Sequence, residues 1–391
     1  MKKVKLGDLG KIITGNTPSK KLSEFYNSND IPFIKPDDFK TTDEISTSKG
    51  NKNYISENAR NSARIVPKNS VLVTCIGIIG KVMISESELS FNQQINAIVP
   101  NELILSKYLA YLLLYNKPKL DFISNAPVVP IINKTQFSEF EVTFHENIDV
   151  QEKIIQNLEN LDNQILKRRH QSKLLSNLVK SRFNEMFGDP VLNEMGWEKH
   201  RLSKLALKIG SGATPRGGRE SYVNEGIALI RSMNVYDGKF IFKDLAYLTN
   251  VQAEKLNNVI VESDDVLLNI TGASVSRCCI VPQIILPARV NQHVSIIRCK
   301  KHLLSPIFLN QLLITSEFKS LLQKIGESSG ATRQAITKNQ IEELTLPLPP
   351  LSLQNEFADF VAQVDKSQLA IQKSLEELET LKKSLMQEYF G

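Results

Sequence analysis

The chain lacks the sequence features of several large protein classes. Its 391 residues include only four cysteines without Cys-x-x-Cys spacing, so neither a disulfide framework nor a zinc site is indicated. No window approaches twenty apolar residues, and the Met-Lys-Lys start is followed by mixed sequence without an apolar signal segment. These absences predict a soluble, cytoplasmic protein that does not enter a membrane.

Signatures of common enzymes are also missing. The sequence contains no Asn-Pro-Pro-Tyr, GxGxxG, GxxxxGK(S/T) or HExxH motif. Pro36-Asp37-Asp38 is similar to the start of a nuclease metal site, but no acidic-x-Lys follows at a usable distance. His293 with Cys278, Cys279 and Cys299 is an alternative metal cluster, although core and strand positions suit these residues better. We therefore predict no catalytic residue, metal or cofactor in this chain.

Two long amphipathic helices dominate what the sequence does contain. Val150 to Phe187 and Leu353 to Phe390 run without proline or glycine, and their apolar residues recur in alternating three- and four-residue steps. Each helix opens on a glutamine, Gln151 or Gln354, and these lie 354 − 151 = 203 positions apart, as do the two closing Phe-Gly pairs. A spacing held over a whole element predicts an internal repeat.

The seven-residue apolar period favours packing of the two helices as an antiparallel coiled coil. The predicted packing residues are Ile154, Leu158, Leu161, Ile165, Leu175, Phe357, Val364, Ile371, Leu375, Leu378 and Leu385. The apolar stripe is interrupted by Arg168, Ser172, Ser367 and Lys382. These residues either tolerate a partly solvated seam, or fix the register of the helices or contact a partner.

Each helix follows a globular part, and the two globular parts repeat the same landmarks in the same order. The Thr17-Pro18 loop corresponds to Thr214-Pro215, and Asn92-Gln93-Gln94 corresponds to Asn291-Gln292-His293. Phe91 to Val99 is predicted as a single strand. We predict an α+β fold with two similar globular domains, residues 1–149 and 189–352, and two helices, residues 150–188 and 353–391, related as a pseudo-twofold repeat.

The placement of charge separates the globular parts from the last helix. Residues 192–352 contain 19 basic and 14 acidic residues, whereas residues 353–391 contain 4 basic and 7 acidic residues. This distribution suits nucleic acid on one surface and protein on another, although ordinary surface charge explains it as well. Amide and basic side chains on loops suit the reading of base edges in the major groove. The candidate DNA-binding residues are Asn16, Thr17, Lys35, Asp38, Gln93, Gln94, Lys134, Thr214, Arg216, Arg231, Asn234, Asn291, Gln292, Arg333 and Lys338.

The order of these landmarks resembles the specificity subunit of type I restriction-modification enzymes. That family has two variable target-recognition domains, each opening with an L-x-x-L…G-x-T-P segment and each followed by a long helix. Ser329 to Ile336, Leu346 to Pro350 and Gln354 are especially close to the family pattern. Ser124 to Pro127 and Thr143 to Asn147 depart from it in the first copy.

The resemblance implies a non-catalytic subunit that reads double-stranded DNA as two half-sites separated by a fixed gap. It would hold two methylation subunits, which bring S-adenosylmethionine, and through them restriction subunits that use ATP and Mg²⁺. Helices of about 57 Å would cap the gap near roughly 17 base pairs. Two other classes stay open, a stand-alone bipartite DNA-binding protein such as a repressor and a coiled-coil scaffold that binds only protein.

Overall fold

The protein is represented by a computed structural model that describes residues 1–124, 129–327 and 334–391. The chain forms two compact units. Unit 1 comprises Met1–Arg169 together with Lys373–Gly391, and unit 2 comprises His170–Gln372. Each long helix is divided between the units, so the units cut across the boundaries that the sequence predicts for separate globular parts and helices. Within the described ranges, no helix is both long and apolar enough to cross a membrane.

The globular part of unit 1 is built from short strands and short helices. The strands are β1 (Lys2–Lys5), β2 (Gly10–Thr14), β3 (Ile31–Ile34), β4 (Ile45–Thr47), β5 (Tyr54–Ile55), β6 (Ile65–Val66), β7 (Val71–Thr74), β8 (Val82–Ile84), β9 (Leu89–Phe91), β10 (Ile95–Pro100) and β11 (Glu141–Phe144). The helices are α1 (Ser106–Tyr115), α2 (Lys117–Ile123) and α3 (Lys134–Glu139), followed by the long α4 (Ile148–Phe187). The sheets have strand orders β1-β11, β2-β10-β7-β8-β4 and β5-β3-β9-β6.

Unit 2 repeats this topology. Its strands are β12 (Lys199–Arg201), β13 (Ala206–Ser211), β14 (Ile227–Ile230), β15 (Val235–Tyr236), β16 (Lys239–Phe240), β17 (Ala246–Leu248), β18 (Ile260–Val261), β19 (Val266–Asn269), β20 (Cys278–Ile280), β21 (Ala288–Val290), β22 (Val294–Cys299) and β23 (Thr345–Pro347). Its helices are α5 (Leu202–Leu205), α6 (Asn250–Glu254), α7 (Pro306–Leu313), α8 (Ser316–Glu327) and α9 (Lys338–Glu343), followed by the long α10 (Leu351–Phe390). The strand orders β12-β23, β13-β22-β19-β20 and β17-β14-β21-β18 match those of unit 1 except that the second sheet has no counterpart of β4.

The two units differ at one sheet edge. In unit 1, β4 pairs in parallel with β8. In unit 2 the corresponding place beside β20 is taken by the antiparallel β15–β16 hairpin, and Gly238 at its turn donates its N–H to the carbonyl of Cys278. The shared strands therefore carry different outer segments.

The predicted strand from Phe91 to Val99 is wrong, because a turn divides it into β9 and β10. The Asn92 carboxamide accepts a hydrogen bond from the Gln94 N–H at 3.1 Å, and the Asn92 carbonyl accepts one from the Ile95 N–H. Asparagine side chains favour such turns by bonding the backbone two residues on. The amide-rich segment is thus a loop between two strands, which leaves Gln93 exposed.

The long helices pack antiparallel within each unit. In unit 1, Asn157 donates to the hydroxyl of Tyr389 at 3.0 Å, and Arg169 pairs with Glu379 at 3.1 Å. In unit 2, Arg182 pairs with Glu356 at 2.9 Å. Of the predicted packing residues, the buried ones are Ile154, Leu158, Leu161, Ile165, Phe357, Val364 and Leu375, and the half-buried ones are Leu175, Ile371, Leu378 and Leu385.

Some of these apolar residues pack into the globular cores as well as the helix seam. Ile154 and Leu158, with Met386 and Phe390, belong to the main core of unit 1. Phe183, Phe187 and Phe357 belong to the main core of unit 2. Each core is therefore completed by the beginning of one long helix and the end of the other.

Candidate nucleic-acid interface

Three loops meet in unit 1 at the ends of the strands that precede them. The loop after β2 contains Thr17, whose hydroxyl donates to Oε1 of Gln93 in the β9–β10 loop at 2.8 Å. The N–H of Asn92 donates to the carbonyl of Ile34 at the end of β3, where Lys35 follows. The structure thus brings together Thr17, Lys35 and Gln93, which are far apart in the sequence.

The same arrangement recurs in unit 2. The hydroxyl of Thr214 donates to Oε1 of Gln292, and the N–H of Asn291 donates to the carbonyl of Ile230, which precedes Arg231. We refer to Thr17 with Gln93, and Thr214 with Gln292, as the Thr–Gln pairs. Both pairs lie on the surface: Thr17, Gln93 and Gln292 are exposed and Thr214 is half-buried.

A glycine in each unit permits the close approach of these loops. A Cβ atom on Gly15 would lie 2.2 Å from the carbonyl oxygen of Asn92, and one on Gly212 would lie 1.7 Å from that of Val290. Real Cβ atoms do not reach such distances, so the threonine loop can rest on the glutamine loop only with glycine at these positions.

The cation that follows β3 or β14 lies over an aromatic ring in both units. Lys35 Nζ is 6.0 Å from the ring centroid of Phe33 and donates to Oδ1 of Asn53 at 2.6 Å. The Arg231 guanidinium is 5.5 Å from the ring centroid of Tyr222 and donates to the carbonyl of Asp244. Both side chains are half-buried, so each cation is held in place at the edge of the loop surface.

Two predicted DNA-binding residues are internal to the fold, which corrects their assignment. Asn234 is fully buried, and its carboxamide accepts from the Arg231 N–H at 3.1 Å and donates to the Ile241 carbonyl at 2.9 Å. Asn291 is 4% exposed and accepts from the His293 N–H at 3.0 Å. Buried, hydrogen-bonded amides shape the loops and do not reach a ligand.

Three further candidates form hydrogen bonds within the protein. Asn16 donates to the Ser62 carbonyl and accepts from the Arg64 N–H, both at 2.7 Å. Asp38 accepts from the Lys35 N–H at 2.7 Å, so Pro36-Asp37-Asp38 is a short 3₁₀ turn. Gln94 accepts from Asn92 at 3.0 Å. Their contact with DNA stays a prediction.

The remaining candidates are solvated cations or lie outside the described residues. Lys134 and Arg216 are exposed. Lys338 is exposed, and its Nζ lies 3.4 Å from Oε1 of Glu342 in the same helix. The carboxylate weakens the attraction of Lys338 for an anionic ligand. Arg333, with Asn125 to Pro127 and Ser329 to Thr332 of the sequence resemblance, lies outside the described residues.

The alternative metal cluster is not formed in the described part of the chain, where no group of histidine, cysteine and acidic residues could hold an ion. His293 Nδ1 lies 2.6 Å from the hydroxyl of Thr271. The three cysteines are buried on strands, and burial raises the pKa of Cys279 and of Cys299 to about 12 and raises that of Cys278 well above its usual value. Neutral buried thiols are poor metal ligands.

A sequence profile decides the family. The profile described as type I restriction modification DNA specificity domain matches residues 1–174 and again residues 194–381. The chain belongs to the type I restriction-modification DNA specificity family. The two matched segments each contain one globular part and most of the helix that follows it.

Individual members of the specificity family are similar over different lengths. The type I restriction enzyme MjaIX specificity subunit of Methanocaldococcus jannaschii is 25% identical over 98% of this chain and 90% of its own length. The HindI specificity subunit of Haemophilus influenzae is 34% identical over 35% of this chain and 30% of its own length. The crystal structure of the type I S subunit from M. genitalium has a TM-score of 0.60 at 13% identity, covering 100% of this chain and 96% of that chain, which shows the shared fold.

Two buried glutamines connect the long helices to the globular parts, a role that the sequence did not reveal. Gln151 and Gln354 are fully buried at the beginnings of α4 and α10. Gln151 accepts from the Leu105 N–H at 2.9 Å and donates to the carbonyls of Leu103 and His145 at 2.9 and 2.7 Å. Gln354 makes the same three bonds, with Ser305 N–H at 2.8 Å, Leu303 O at 3.1 Å and Pro349 O at 2.9 Å. In the sequence, only their equivalent positions in the repeat indicated that these two glutamines share a role.

Proposed function

We propose that this chain is the DNA-reading subunit of a type I restriction-modification complex and that each globular part reads one half-site of a bipartite target. The observation that carries the proposal is the loop surface found in both units. It joins the same elements through the same hydrogen bonds but presents different side chains, such as Lys35 against Arg231 and Gln94 against His293. A shared scaffold with different exposed groups suits the binding of one polymer at two different sequences.

The chemistry of the complex would reside in partner subunits in the cytoplasm. Two methylation subunits would supply S-adenosylmethionine, and restriction subunits bound through them would supply ATP- and Mg²⁺-dependent cleavage. The naming of the relatives as specificity subunits supports a non-catalytic role for this chain. The acidic helix α10, with 7 acidic and 4 basic residues between 353 and 391, suits contact with a protein rather than with DNA.

Methylation sequencing tests this proposal. Cells that express this chain with its cognate methylation subunit should carry N6-methyladenine in a split motif of two short half-sites around a fixed gap. Cells with the methylation subunit alone provide the control and should lack the motif. An unmethylated genome despite expression and complex formation would favour a stand-alone DNA-binding protein or a protein scaffold.

A further inference from the structure

The Thr–Gln pairs are the exposed feature that the two loop surfaces have in common. The side chains at the surrounding equivalent positions of the repeat differ. Asn16 corresponds to Ala213, Lys35 to Arg231, and Gln94 to His293. The glycines beneath the pairs, Gly15 and Gly212, are also shared and exclude any larger residue. Both units therefore keep one surface pair and its support while varying its surroundings.

The hydrogen bond within each pair uses half of the acceptor capacity of the amide and none of its donors. The threonine hydroxyl donates to Oε1 of Gln93 or Gln292. In the described part of the chain, no protein atom accepts from Nε2 of either glutamine, so each exposed side chain offers two N–H donors to a ligand. Bidentate reading of adenine needs a carbonyl oxygen and an amide N–H directed together at the base. With one of the two lone pairs of its oxygen taken by threonine, each amide keeps more donor than acceptor capacity, which suits a ligand that only accepts hydrogen bonds.

We propose that each Thr–Gln pair donates to a phosphate of the DNA backbone and holds its globular part against the duplex without reading a base. The inference rests on the proposed function and deepens it. Backbone phosphates are present at every half-site, whereas bases differ between half-sites, so a contact shared by both units matches the shared component of the ligand. Phosphate contacts from neutral amides are common in protein–DNA complexes and fix position and orientation.

The proposal also divides the loop surface by task. The positions that differ between units, Lys35 against Arg231 and Gln94 against His293, are the ones left to distinguish sequences. The shared pairs would then hold these variable side chains at the same distance from the base edges in both units. Specificity and affinity would therefore respond to different substitutions.

The experiment uses the complex with methylation subunits and two duplexes, one carrying the motif named by methylation sequencing and one with both half-sites scrambled. Gln93→Ala and Gln292→Ala should each weaken binding to both duplexes by about the same two- to tenfold factor, the effect of losing one hydrogen bond. The methylated motif should be unchanged. Gln93→Lys and Gln292→Lys should restore affinity and steepen the dependence of log K on log salt by about 0.9 each, because each replaces a neutral phosphate contact by a charged one that releases a counterion.

Controls distinguish a failure of this inference from a failure of the proposed function, and a phosphate contact from a purely structural role of the glutamines. Gln283, an exposed glutamine beyond the end of β20, provides Gln283→Ala and Gln283→Lys, which should leave affinity and salt dependence unchanged. Equal thermal transitions for all variants are expected, because the pairs lie on the surface. A motif relaxed at one position in Gln93→Ala or Gln292→Ala would overturn the inference, as would a loss of binding accompanied by a lowered transition temperature. Absence of binding by the unmodified complex would count against the proposed function instead.

Discussion

The helix seam of unit 1 and that of unit 2 are built alike but carry different charges. In unit 1, Lys382 of α10 lies 2.5 Å from Asp162 of α4, and the Tyr111 hydroxyl donates to the same carboxylate at 2.7 Å. By the repeat of 203 positions, Val179 and Asp365 are the residues of unit 2 that correspond to Lys382 and Asp162. Asp365 is exposed and has no ion-pair partner among the described residues, and desolvation by the residues packed around it raises its pKa. The same helix pairing is thus held by an ion pair at one position and accommodates a lone carboxylate at the other.

Lys382 shows how an apparent interruption of the apolar stripe contributes to the seam. Burial, followed by the nearby charge of Asp162, raises the pKa of Tyr111, so the phenol stays protonated and able to donate. Of the two explanations for this residue, fixing the register of the helices agrees with the observed contact. A polar contact of this kind is satisfied only when the helices are correctly aligned.

The largest effects should come from the aromatic residues that end the two helices. Phe187 lies 5.1, 4.9 and 5.6 Å from the ring centroids of Phe183, Phe308 and Phe357, and Phe390 lies 5.2 Å from that of Tyr108. Phe187→Ala and Phe390→Ala should each lower the free energy of unfolding by about 3–5 kcal/mol, measured by urea denaturation. Phe122→Ala, at a side chain that is 87% exposed, should change it by less than about 0.5 kcal/mol.

The single tryptophan allows this comparison to be made unit by unit. Trp197 lies in unit 2, and its indole N–H donates to the carbonyl of Phe187 at 3.1 Å. Phe187→Ala should shift the fluorescence transition, whereas Phe390→Ala should shift mainly the circular dichroism transition. Equal fluorescence shifts for both variants would mean that the units unfold together.

The glutamines at the helix beginnings should matter equally in both units. Gln151→Leu or Gln354→Leu would leave one backbone N–H and two carbonyls without their buried partner. The expected loss is about 3 kcal/mol per variant, because each unpaired buried group costs roughly 1 kcal/mol or more. Gln156→Leu, on the exposed face of α4, is the matched control for denaturation. A change of less than about 1 kcal/mol in either unit would show that these bonds do not hold the helix to its globular part.

The ion pair should have a moderate effect confined to unit 1. Lys382→Met keeps most of the side-chain stem but removes the charge, and should cost about 1 kcal/mol of stability for this partly exposed pair. A double-mutant cycle with Asp162→Asn isolates the pairwise coupling. Lys383→Met, at an exposed neighbouring position, is the control. Coupling indistinguishable from zero would remove the argument that Lys382 sets the register.

The smallest expected effect is at Asp365, and it depends on pH. Because the pKa of Asp365 is raised in the folded state, its charged form is disfavoured there. Asp365→Asn should therefore stabilise the protein by a few tenths of a kcal/mol at pH 7, allowing for solvent screening. The gain should disappear as pH falls through the raised pKa of the folded state toward 3.8, the ordinary pKa of an aspartate side chain. Asp359→Asn, at another exposed position of α10, provides the control. A gain that persists at low pH would contradict this explanation.

The repeat and the long helices could be predicted because they leave periodic patterns in the sequence. The spacing of Gln151 and Gln354 and the two Thr-Pro loops indicated one plan used twice, and the stripe from Ile154 to Ile165 identified a buried helix face. Residue type alone did not separate an exposed Gln93 from a buried Asn234. That difference depends on which backbone groups the folded loops bring near each amide. The gap between half-sites stays a prediction.

The division of the long helices between the units has a consequence for the order in which the protein can fold during synthesis. The globular part of unit 1 is made before unit 2, but Met386 and Phe390 of its core are made after unit 2. Unit 2 has all of its residues once Gln372 has left the ribosome. The core of unit 1 stays incomplete until Met386 and Phe390 have followed. A nascent chain with apolar surface exposed for that interval is prone to aggregation and to engagement by chaperones. The N-terminal half of this protein is therefore expected to be the last to mature.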